Sequence, residues 1–369
     1  MTAPRVLVDA TAIPADRGGV GRYLDGLLEA LAARDAPTVV ARADDAERFR
    51  ALGLPVIVAP RYVARASRRI VWEQFGLPRM VRRGGFDVLH SPHYTFPMIG
   101  RFARVVTIHD LTFFTLPGAH SRVKRAFFRF WLRRLARGRA VVLAVSEATA
   151  QEFARILGAD RSRIIVAPHG YDPHVFHPPT TEAVASFARA QHPPVEGWIA
   201  FLGTIEPRKN VPALVAAHRA LGPDAPPLLL AGGPGWDPRA PEAIADAREA
   251  GGDVRALGYL PLEQLSSFLG GAELVVYPSL GEGFGLPVLE AMATGAAVLT
   301  TDQLALPEVG GDAVAYTGTD AEAIASALRE LLADPERRAR LGRAARARAE
   351  LFTWGASAER HLLAYREAR

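Results

Sequence analysis

The sequence predicts an α/β protein made of two doubly wound domains. Short, almost uninterrupted apolar runs alternate with helical patterns along the chain, which is typical of buried parallel strands joined by helices. Residues 166–179 interrupt this alternation with four prolines and a glycine, as expected for a linker. A chain of 369 residues is too long for one ordinary core, and its 49% hydrophobic and 22% charged residues indicate a globular protein.

The first domain is predicted to cover residues 1–175. Its first strand, residues 5–9, leads through a glycine-rich turn into a helix whose leucines recur at helical spacing. Further strands are expected at residues 38–41, 55–58, 87–90, 104–109, 140–145 and 163–166.

The second domain is predicted to cover residues 176–354 and to repeat the same alternation. Its strands are expected at residues 198–203, 227–231, 254–257, 274–277 and 297–300. Ligands of doubly wound sheets bind at the carboxyl ends of the strands. Polar residues that directly follow a strand are therefore the candidates for a functional site.

The clearest site signal is residues 281–290, which follow an apolar strand and lead into a short helix. Three glycines let the backbone approach a ligand closely, and Pro287 suits the first helical turn. The start of such a helix directs N–H groups and a positive dipole end at a ligand, which favours a pyrophosphate. The residues expected to bind it are Gly283, Phe284, Gly285 and Leu286. The carboxylates of Glu282 and Glu290 would accept hydrogen bonds from the hydroxyls of a sugar and a ribose.

A second signal is the pair of cations Arg208 and Lys209, which follow the first strand of the second domain. Two adjacent cations can neutralise a diphosphate as it leaves, a task that a metal ion would otherwise perform. No D-x-D motif occurs in the chain, so the sequence gives no case for a divalent ion that holds a nucleotide. No cofactor is expected.

Two weaker signals lie in the first domain. Gly19 and Gly21 belong to a G-G-x-G turn that could accept a phosphate, although tight turns also use glycine for steric reasons alone. His109 stands where a strand ends, and a histidine satisfied by the local backbone is the default interpretation of such a position.

Residues 281–290 and 203–210 together resemble the retaining nucleotide-sugar glycosyltransferases of the GT-B architecture, family 4. The first stretch matches E-G-F-G-L-P-x-L-E-A, and the second reads G-T-I-E-P-R-K-N. The resemblance extends over nearly the whole chain. It implies two Rossmann-like domains facing a central cleft, with the acceptor bound by the first and the nucleotide sugar by the second. It also implies a last helix, residues 355–369, that returns to the first domain.

The resemblance also implies roles for single residues. Glu282 would bind the donor sugar's hydroxyls, Glu290 the ribose, and His109 the donor sugar, while the turn that contains Gly19 and Gly21 would face the cleft. Attack on the same face of the sugar, assisted by the leaving phosphate, would retain the anomeric configuration without a metal and without Glu282 as a covalent nucleophile. The family often has a proline in the loop where this chain has Gly295 to Val298, a difference that concerns loop stiffness.

The resulting hypothesis is a transferase that moves mannose from GDP-mannose to a surface glycan or a polyprenyl-diphosphate-linked acceptor. UDP-glucose, UDP-N-acetylglucosamine and dTDP-rhamnose stay open as donors. The competing interpretations are a sugar-nucleotide 2-epimerase and a transferase-like subunit without activity. A dinucleotide dehydrogenase is disfavoured because the glycine turn lacks the full G-x-G-x-x-G spacing.

Charge is distributed unevenly along the chain. Residues 1–180 contain 27 Lys and Arg against 15 Asp and Glu, whereas residues 181–369 contain 17 against 24. The basic half could contact an anionic membrane surface or simply be a solvated, arginine-rich face. In its basic helix, residues 122–139, the side chains expected to face inward are Ala126, Phe127, Phe130, Trp131 and Leu135. No nucleic-acid partner is expected.

The location expected from sequence is the cytoplasm, with peripheral contact at the inner face of the membrane. The chain has no cysteine, its amino terminus lacks the pattern of a signal peptide, and no uncharged apolar run approaches the ~18 residues of a spanning helix.

Overall fold

The computed structural model describes residues 3–13 and 17–369, which form two compact units. Unit 1 comprises Met1–Gly170 and Phe352–Arg369, and unit 2 comprises Tyr171–Leu351. The division lies a few residues before the boundary predicted near residue 175. The last helix is part of unit 1.

Unit 1 contains a parallel sheet of seven strands in the order β3-β2-β1-β4-β5-β6-β7. The strands are β1 (Val6–Asp9), β2 (Thr38–Ala41), β3 (Val56–Val58), β4 (Val88–Ser91), β5 (Ala103–Ile108), β6 (Val141–Ala144) and β7 (Ile164–Val166). The helices are α1 (Gly18–Ala32), α2 (Ala43–Ala51), α3 (Ala66–Gly84), α4 (Thr112–Thr115), α5 (Arg122–Arg137), α6 (Glu147–Leu157) and α15 (Trp354–Glu367).

Unit 2 contains a parallel sheet of six strands in the order β10-β9-β8-β11-β12-β13. The strands are β8 (Ile199–Leu202), β9 (Leu228–Ala231), β10 (Val254–Gly258), β11 (Leu274–Tyr277), β12 (Val298–Thr301) and β13 (Ala315–Thr317). The helices are α7 (Thr181–Arg189), α8 (Val211–Arg219), α9 (Ala240–Glu249), α10 (Leu262–Gly270), α11 (Leu286–Ala293), α12 (Leu306–Gly310), α13 (Ala321–Leu332) and α14 (Pro335–Ala349).

The predicted fold class, two parallel-sheet Rossmann-like units, is confirmed. Every predicted strand is present, because strands buried on both faces are apolar along their whole length. Strand β5 shows this: Val105 packs with α1 and α15 on one face, and Val106 packs with α5 and α6 on the other. Strand β13 was not predicted, since its sequence Ala315-Tyr316-Thr317 lacks the run of branched apolar residues that marks the other three-residue edge strands, β3 and β7.

Each sheet reverses its strand order once, and this reversal locates a ligand-binding edge. In unit 1 the reversal lies between β1 and β4, and in unit 2 it lies between β8 and β11. The carboxyl ends of β8 and β11 are therefore neighbours. The segments that follow them carry Arg208 and Lys209 in one case and Glu282 in the other.

Two local predictions were wrong. The glycines Gly19 and Gly21 lie in the first turn of α1, which begins at Gly18, rather than in a loop before the helix. In helix α5, Ala126 and Phe130 are exposed, so they do not face inward. The buried residues of α5 are Trp131, Leu132, Leu135 and Ala136.

A buried chain of hydrogen bonds ties α15 to the sheet of unit 1. The ring of His361 lies 2.7 Å from the carbonyl of Ser357 through Nδ1 and 2.9 Å from the Tyr23 hydroxyl through Nε2. Because a carbonyl only accepts, Nδ1 donates and Nε2 of the neutral ring accepts from Tyr23. Burial lowers the pKa of His361 to about 4, so this ring is neutral at pH 7.

The same chain continues through strands β5 and β4. Tyr23 accepts from Thr107 at 3.0 Å, and Thr107 accepts from Nε2 of His90 at 2.9 Å. Nδ1 of His90 then accepts from the hydroxyl of Tyr365 at 2.9 Å. All of these side chains are buried, so each bond satisfies a polar group that water does not reach.

Replacing Tyr365 with Phe should destabilise unit 1, because Nδ1 of His90 would lose its donor in the interior. An unsatisfied buried acceptor costs ~1–3 kcal/mol. We expect a lower thermal unfolding midpoint for the Tyr365→Phe variant, followed by tryptophan fluorescence. The matched control is Tyr62→Phe, whose ring is 48% exposed and whose loss of a hydroxyl should leave the midpoint unchanged. Equal midpoints for all three proteins would contradict a stabilising role for this network.

Candidate active site

The two predicted cations are presented by a tight turn at the carboxyl end of β8. Residues Pro207–Lys209 form a short 3-10 helix, with proline at its first position, where no N–H is required. Asn210 then adopts a left-handed conformation with φ of 59°, which asparagine tolerates better than most residues, and α8 begins at the next residue. The turn holds Lys209 in the interior and leaves Arg208 half-buried.

Glu282 is presented by the loop that follows β11. The hydroxyl of Thr301 donates to the carbonyl of Ser279 at 2.6 Å, which ties this loop to β12. The N–H of Leu280 donates to the carbonyl of Arg208 at 2.7 Å, which ties it to the turn after β8. Glu282 is 6% exposed. The loop and the turn are thus one connected structure.

The carboxylate of Glu282 lies between the two cations. Its Oε1 is 2.6 Å from Nζ of Lys209, and its Oε2 forms an ion pair with the guanidinium of Arg208. Oε1 also accepts from the hydroxyls of Ser279 at 2.8 Å and Tyr277 at 3.1 Å. Four groups therefore donate to this one carboxylate.

A second carboxylate, Glu206, completes the cluster. Its Oε1 is 2.6 Å from the guanidinium of Arg208, so Arg208 lies between two carboxylates. Lys209 also contacts the hydroxyl of Tyr277 and lies 4.6 Å from the centre of its ring. The cluster formed by Glu206, Arg208, Lys209 and Glu282 has no net formal charge.

These contacts decide the protonation of Glu282. Burial works to raise its pKa, but the positive charges of Arg208 and Lys209 outweigh burial and hold that pKa at about 2, below the ordinary 4.5. Burial and the neighbouring Arg208 lower the pKa of Lys209, and Glu282 opposes that shift. Burial and the charge of Glu282 raise the pKa of Tyr277 well above 10. Glu282 is therefore an anion and Tyr277 a neutral donor at pH 7.

Helix α11 begins four residues after Glu282. Gly285 precedes it with φ of 96°, a backbone conformation that favours glycine, and a Cβ at this position would lie 2.7 Å from a terminal methyl group of Leu306. Pro287 lies in the first turn of α11, as predicted. The predicted pyrophosphate-binding residues Gly283, Phe284, Gly285 and Leu286 are all buried around this helix start. Glu290 lies within α11 and is 2% exposed.

His109 lies at the carboxyl end of β5 in unit 1. Its Nε2 donates to the carbonyl of Pro92 at 2.8 Å, so Nδ1 of the neutral ring is an acceptor. Burial lowers the pKa of His109, which favours this neutral form. The ring of Tyr23 packs edge-on against it, with 5.1 Å between the ring centres. His109 therefore has the backbone partner that the default interpretation expects, the carbonyl of Pro92. Its Nδ1 can accept a hydrogen bond from a hydroxyl.

The two predicted glycines of unit 1 differ in surroundings. A Cβ at Gly21 would lie 2.7 Å from Cβ of Arg17 and 3.4 Å from Ile13, so close packing explains this glycine. A Cβ at Gly19 would meet none of the described residues within 4 Å. The segment before them, residues 14–16, lies outside the described residues.

Sequence reasoning missed one member of this cluster, Glu206, and two residues that donate to it, Tyr277 and Ser279. Glu206 stands inside the G-T-I-E-P-R-K-N stretch, and an acid beside a cation pair was a usable signal. Tyr277 was taken only as part of an apolar strand, although it is the last residue before the strand ends. Ser279 gave no signal, because its role depends on the loop conformation.

No group of three or more His, Cys, Asp or Glu in residues 3–13 and 17–369 is arranged to hold a metal ion. No helix within the same residues is both long and apolar enough to cross a membrane.

Comparison with known proteins identifies two family matches that together cover most of the chain. Residues 17–175 match Glycosyltransferase Family 4, and residues 185–348 match Glycosyl transferases group 1. The O-antigen chain mannosyltransferase B of Escherichia coli is 30% identical over 272 residues, which is 72% of this chain and 71% of that protein. The D-inositol 3-phosphate glycosyltransferase of Xylanimonas cellulosilytica is 32% identical over 77% of this chain and 73% of its own length.

Among solved structures, HepE of Anabaena in complex with UDP-glucose matches with a TM-score of 0.76. The match covers 98% of each chain at 17% sequence identity, so it bears on the fold alone. Fold and sequence together define a glycosyltransferase of the GT-B architecture. The chain belongs to glycosyltransferase family 4. This membership decides against the epimerase and dehydrogenase interpretations.

Replacing Glu282 with Gln should destabilise unit 2, because Arg208 and Lys209 would lose their shared anion. A pKa held at about 2 instead of 4.5 corresponds to a contribution on the order of 3 kcal/mol at pH 7. A depressed carboxyl pKa stabilises the fold above pH 4.5, and the effect is lost as the pH falls towards 2. We therefore expect the free energy of unfolding of the wild type to exceed that of the variant. This gap should be constant from pH 7 to 5 and reduced by more than half at pH 3.

Unfolding in urea at each pH measures this gap. Glu196→Gln is the matched control, because Glu196 is exposed and the same change there should have no effect. A gap that does not depend on pH would contradict the ionised state assigned to Glu282.

Proposed function

We propose that this enzyme transfers mannose from GDP-mannose, with retention, to a surface glycan or a polyprenyl-diphosphate-linked acceptor. The observation that carries the proposal is the pair of cations Arg208 and Lys209, held by carboxylates at the strand-order reversal of unit 2. This is the position at which doubly wound sheets bind nucleotides. The mannosyltransferase relative from Escherichia coli supports the choice of donor.

The chemistry requires stabilisation of the leaving group. Breaking the bond between sugar and phosphate leaves an oxocarbenium-like sugar and a nucleoside diphosphate with additional negative charge. Because Arg208 and Lys209 are already held in place by Glu206 and Glu282, they need not be ordered during the reaction. Each donor of this kind typically contributes ~3 kcal/mol to transition-state stabilisation, or on the order of a hundredfold in rate.

Glu282 would have two tasks. It orients both cations, and it would bind a hydroxyl of the donor sugar. Because it already accepts from four groups, the second task requires a sugar hydroxyl to replace one of them. Saturation with donors and a pKa of about 2 make this carboxylate a weak nucleophile. This supports attack by the acceptor on the same face as the leaving phosphate, without a covalent intermediate on Glu282.

The other predicted residues have supporting roles in this proposal. The helix start at Gly283, Phe284, Gly285 and Leu286 would bind the diphosphate through backbone N–H groups. Glu290, on the same helix, would bind the ribose. His109 would accept a hydrogen bond from the donor sugar through Nδ1, the nitrogen that does not contact Pro92. Metal independence is supported by the two cations and by the missing D-x-D motif.

Binding measurements with a panel of sugar nucleotides test which donor the enzyme uses. We expect GDP-mannose to raise the thermal unfolding midpoint more than UDP-glucose, UDP-N-acetylglucosamine or dTDP-rhamnose. The shift should nearly vanish in Arg208→Gln and persist in Arg219→Gln, an exposed arginine on α8. A larger shift of the midpoint with a UDP sugar would identify that compound, and not GDP-mannose, as the donor. No shift with any compound would contradict nucleotide-sugar binding itself.

Chelation tests metal independence. Donor turnover, followed by release of the nucleoside diphosphate, should be unchanged by excess EDTA and by added Mg²⁺, because Arg208 and Lys209 provide the neutralising charge. The Arg208→Gln variant should lose on the order of a hundredfold in rate, and Mg²⁺ should not restore it. Loss of activity with EDTA, reversed by Mg²⁺, would show that a metal ion binds the diphosphate.

A further inference from the structure

Tyr277 connects a cation and a carboxylate of the charged cluster in unit 2. It is the last residue of β11, and the three residues before it in that strand are apolar. Tyr277 is 1% exposed, yet its hydroxyl contacts both Lys209 and Glu282. Two charged groups on different segments therefore share one neutral hydroxyl, which has no task in the function proposed above.

The charges of its two neighbours fix the direction of both hydrogen bonds. Glu282 is ionised, so its Oε1, at 3.1 Å, can only accept from the hydroxyl. The ammonium of Lys209 can only donate, so the hydroxyl oxygen accepts from Nζ. Nζ also donates to the same Oε1 at 2.6 Å. Lys209, Tyr277 and Glu282 therefore form a closed ring of three hydrogen bonds.

This ring uses two of the three N–H groups of Lys209. With the part of the chain that the structure describes, the ammonium forms no other hydrogen bond or ion pair. Because the four bonds of this nitrogen are tetrahedral, fixing two N–H groups also fixes the direction of the third. The third N–H is thus oriented before a ligand arrives, and it is available to a phosphate oxygen.

Packing and backbone contacts hold the ring of Tyr277 in place. Phe201 of β8 stacks on it, with 5.9 Å between the ring centres and 15° between the ring planes. The hydroxyl of Thr300 on β12 donates to the backbone carbonyl of Tyr277 at 2.8 Å. The hydroxyl of Tyr277 therefore gives the flexible side chain of Lys209 a partner at a fixed position.

Lys209 lies where an ammonium group is difficult to keep charged. The residue is 6% exposed, and burial is the largest cause that lowers its pKa, followed by the positive charge of Arg208. The carboxylates of Glu282 and Glu206 oppose this shift. In the described chain, the titratable and charged groups that face Lys209 come from the turn after β8 and from β11 with its loop: Arg208, Glu206, Tyr277 and Glu282.

The hydroxyl of Tyr277 favours the charged form of Lys209. A hydrogen-bond acceptor for a charged donor raises the pKa of that donor, because the neutral amine donates more weakly. Water does not replace this acceptor readily, since Tyr277 and Lys209 are both buried. The hydroxyl thus acts together with Glu282 to keep Lys209 protonated.

We propose that Tyr277 is a positioning residue for the transfer reaction, whose hydroxyl keeps Lys209 charged and directs its third N–H at the diphosphate of the donor. The proposal rests on the proposed function, since Lys209 is one of the cations that would neutralise the leaving group. Tyr277 acts through Lys209 and does not need to touch the substrate. Its pKa lies well above 10, so it gives this support without a negative charge that would repel a diphosphate.

Ser279 provides a comparison within the same cluster. Its hydroxyl also donates to Oε1 of Glu282, at 2.8 Å, but it forms no hydrogen bond with Lys209. Loss of either hydroxyl removes one donor from Glu282, whereas only the loss at Tyr277 removes an acceptor from Lys209. A difference between Tyr277→Phe and Ser279→Ala therefore isolates the contact with Lys209.

The pH dependence of stability tests this contact without a ligand. Tyr277→Phe keeps the ring that stacks on Phe201, and the pKa of Lys209 should fall further below 10.5 in this variant than in wild type. Between the folded and unfolded pKa of a lysine the unfolded state binds more protons, so stability rises with pH. This rise begins at lower pH in the variant. Its free energy of unfolding should therefore approach that of wild type between pH 7 and 10.

The same substitution in a Lys209→Met background is the control for this measurement. Without the ammonium, the narrowing due to Lys209 should disappear. Ionisation of the unfolded tyrosine near pH 10 contributes equally in both backgrounds, so the comparison removes it. Ser279→Ala should differ from wild type by an amount that is constant over this pH range. Equal narrowing in the two backgrounds would overturn the contact assigned to Tyr277.

The pH dependence of donor turnover tests the consequence for the reaction. In wild type, kcat/KM for release of the nucleoside diphosphate should fall at alkaline pH as Lys209 loses its proton. In Tyr277→Phe this fall should begin about one pH unit lower, which corresponds to the loss of one hydrogen bond. A purely structural role would instead lower kcat/KM by the same factor at every pH.

Two controls accompany the turnover measurement. Ser279→Ala should begin its alkaline fall at the same pH as wild type, because its Lys209 keeps both partners. Tyr62→Phe, at an exposed position in unit 1, should match wild type in rate and in pH dependence. Alkaline limbs that coincide for Tyr277→Phe and wild type, or equal shifts in Tyr277→Phe and Ser279→Ala, would overturn the proposal. Thermal unfolding midpoints at pH 7 verify that each variant is folded.

Failure of this inference can be told apart from failure of the proposed function. If wild type turns over no sugar nucleotide, the proposed function fails and the role of Tyr277 in the reaction fails with it, whereas the stability measurement still reports on the contact with Lys209. Turnover by wild type together with an unshifted alkaline limb in Tyr277→Phe would contradict the role of Tyr277 alone.

Discussion

The structure of unit 2 depends on one carboxylate, that of Glu282, held between Arg208 and Lys209. Two adjacent buried or half-buried cations would repel each other and lose hydration without an anion between them. Glu282 supplies that anion, and Tyr277 and Ser279 satisfy its remaining acceptor positions. The turn after β8 and the loop after β11 therefore require each other. The pairing of β8 with β11, where the sheet reverses its strand order, brings these two segments together.

If the site binds a diphosphate as proposed, the same arrangement explains how a cluster without net charge can serve an anionic substrate. Glu206 and Glu282 offset the charges of Arg208 and Lys209, so the site is stable before a diphosphate arrives. A diphosphate that reaches the cations must then exchange part of these contacts for its own oxygens. Groups oriented before the reaction need little reorganisation as negative charge develops on the leaving group, and this is the condition under which electrostatic stabilisation is most effective.

Sequence reasoning succeeded where a residue's role follows from its own type and spacing. The strands were found because burial on both faces makes them apolar throughout. The predicted residues Arg208, Lys209 and Glu282 follow two of these strands and contact one another, while their functional roles stay predictions. Sequence reasoning did less well for residues whose role or orientation is determined by tertiary contacts. Tyr277 has the pattern of a strand residue, and only the position of Glu282 reveals its hydroxyl as a donor. Phe130 was assigned to the interior because adjacent aromatic residues in α5 do not specify which of them faces the sheet.

The central claim is that the diphosphate of the donor binds to Arg208 and Lys209 directly. A crystal structure of the protein with a nucleoside diphosphate sugar measures this most directly. The account predicts phosphate oxygens within ~2.7–3.2 Å of both cations, with Glu282 still paired to at least one of them. A diphosphate bound away from both cations, or joined to the protein through a metal ion, would contradict it.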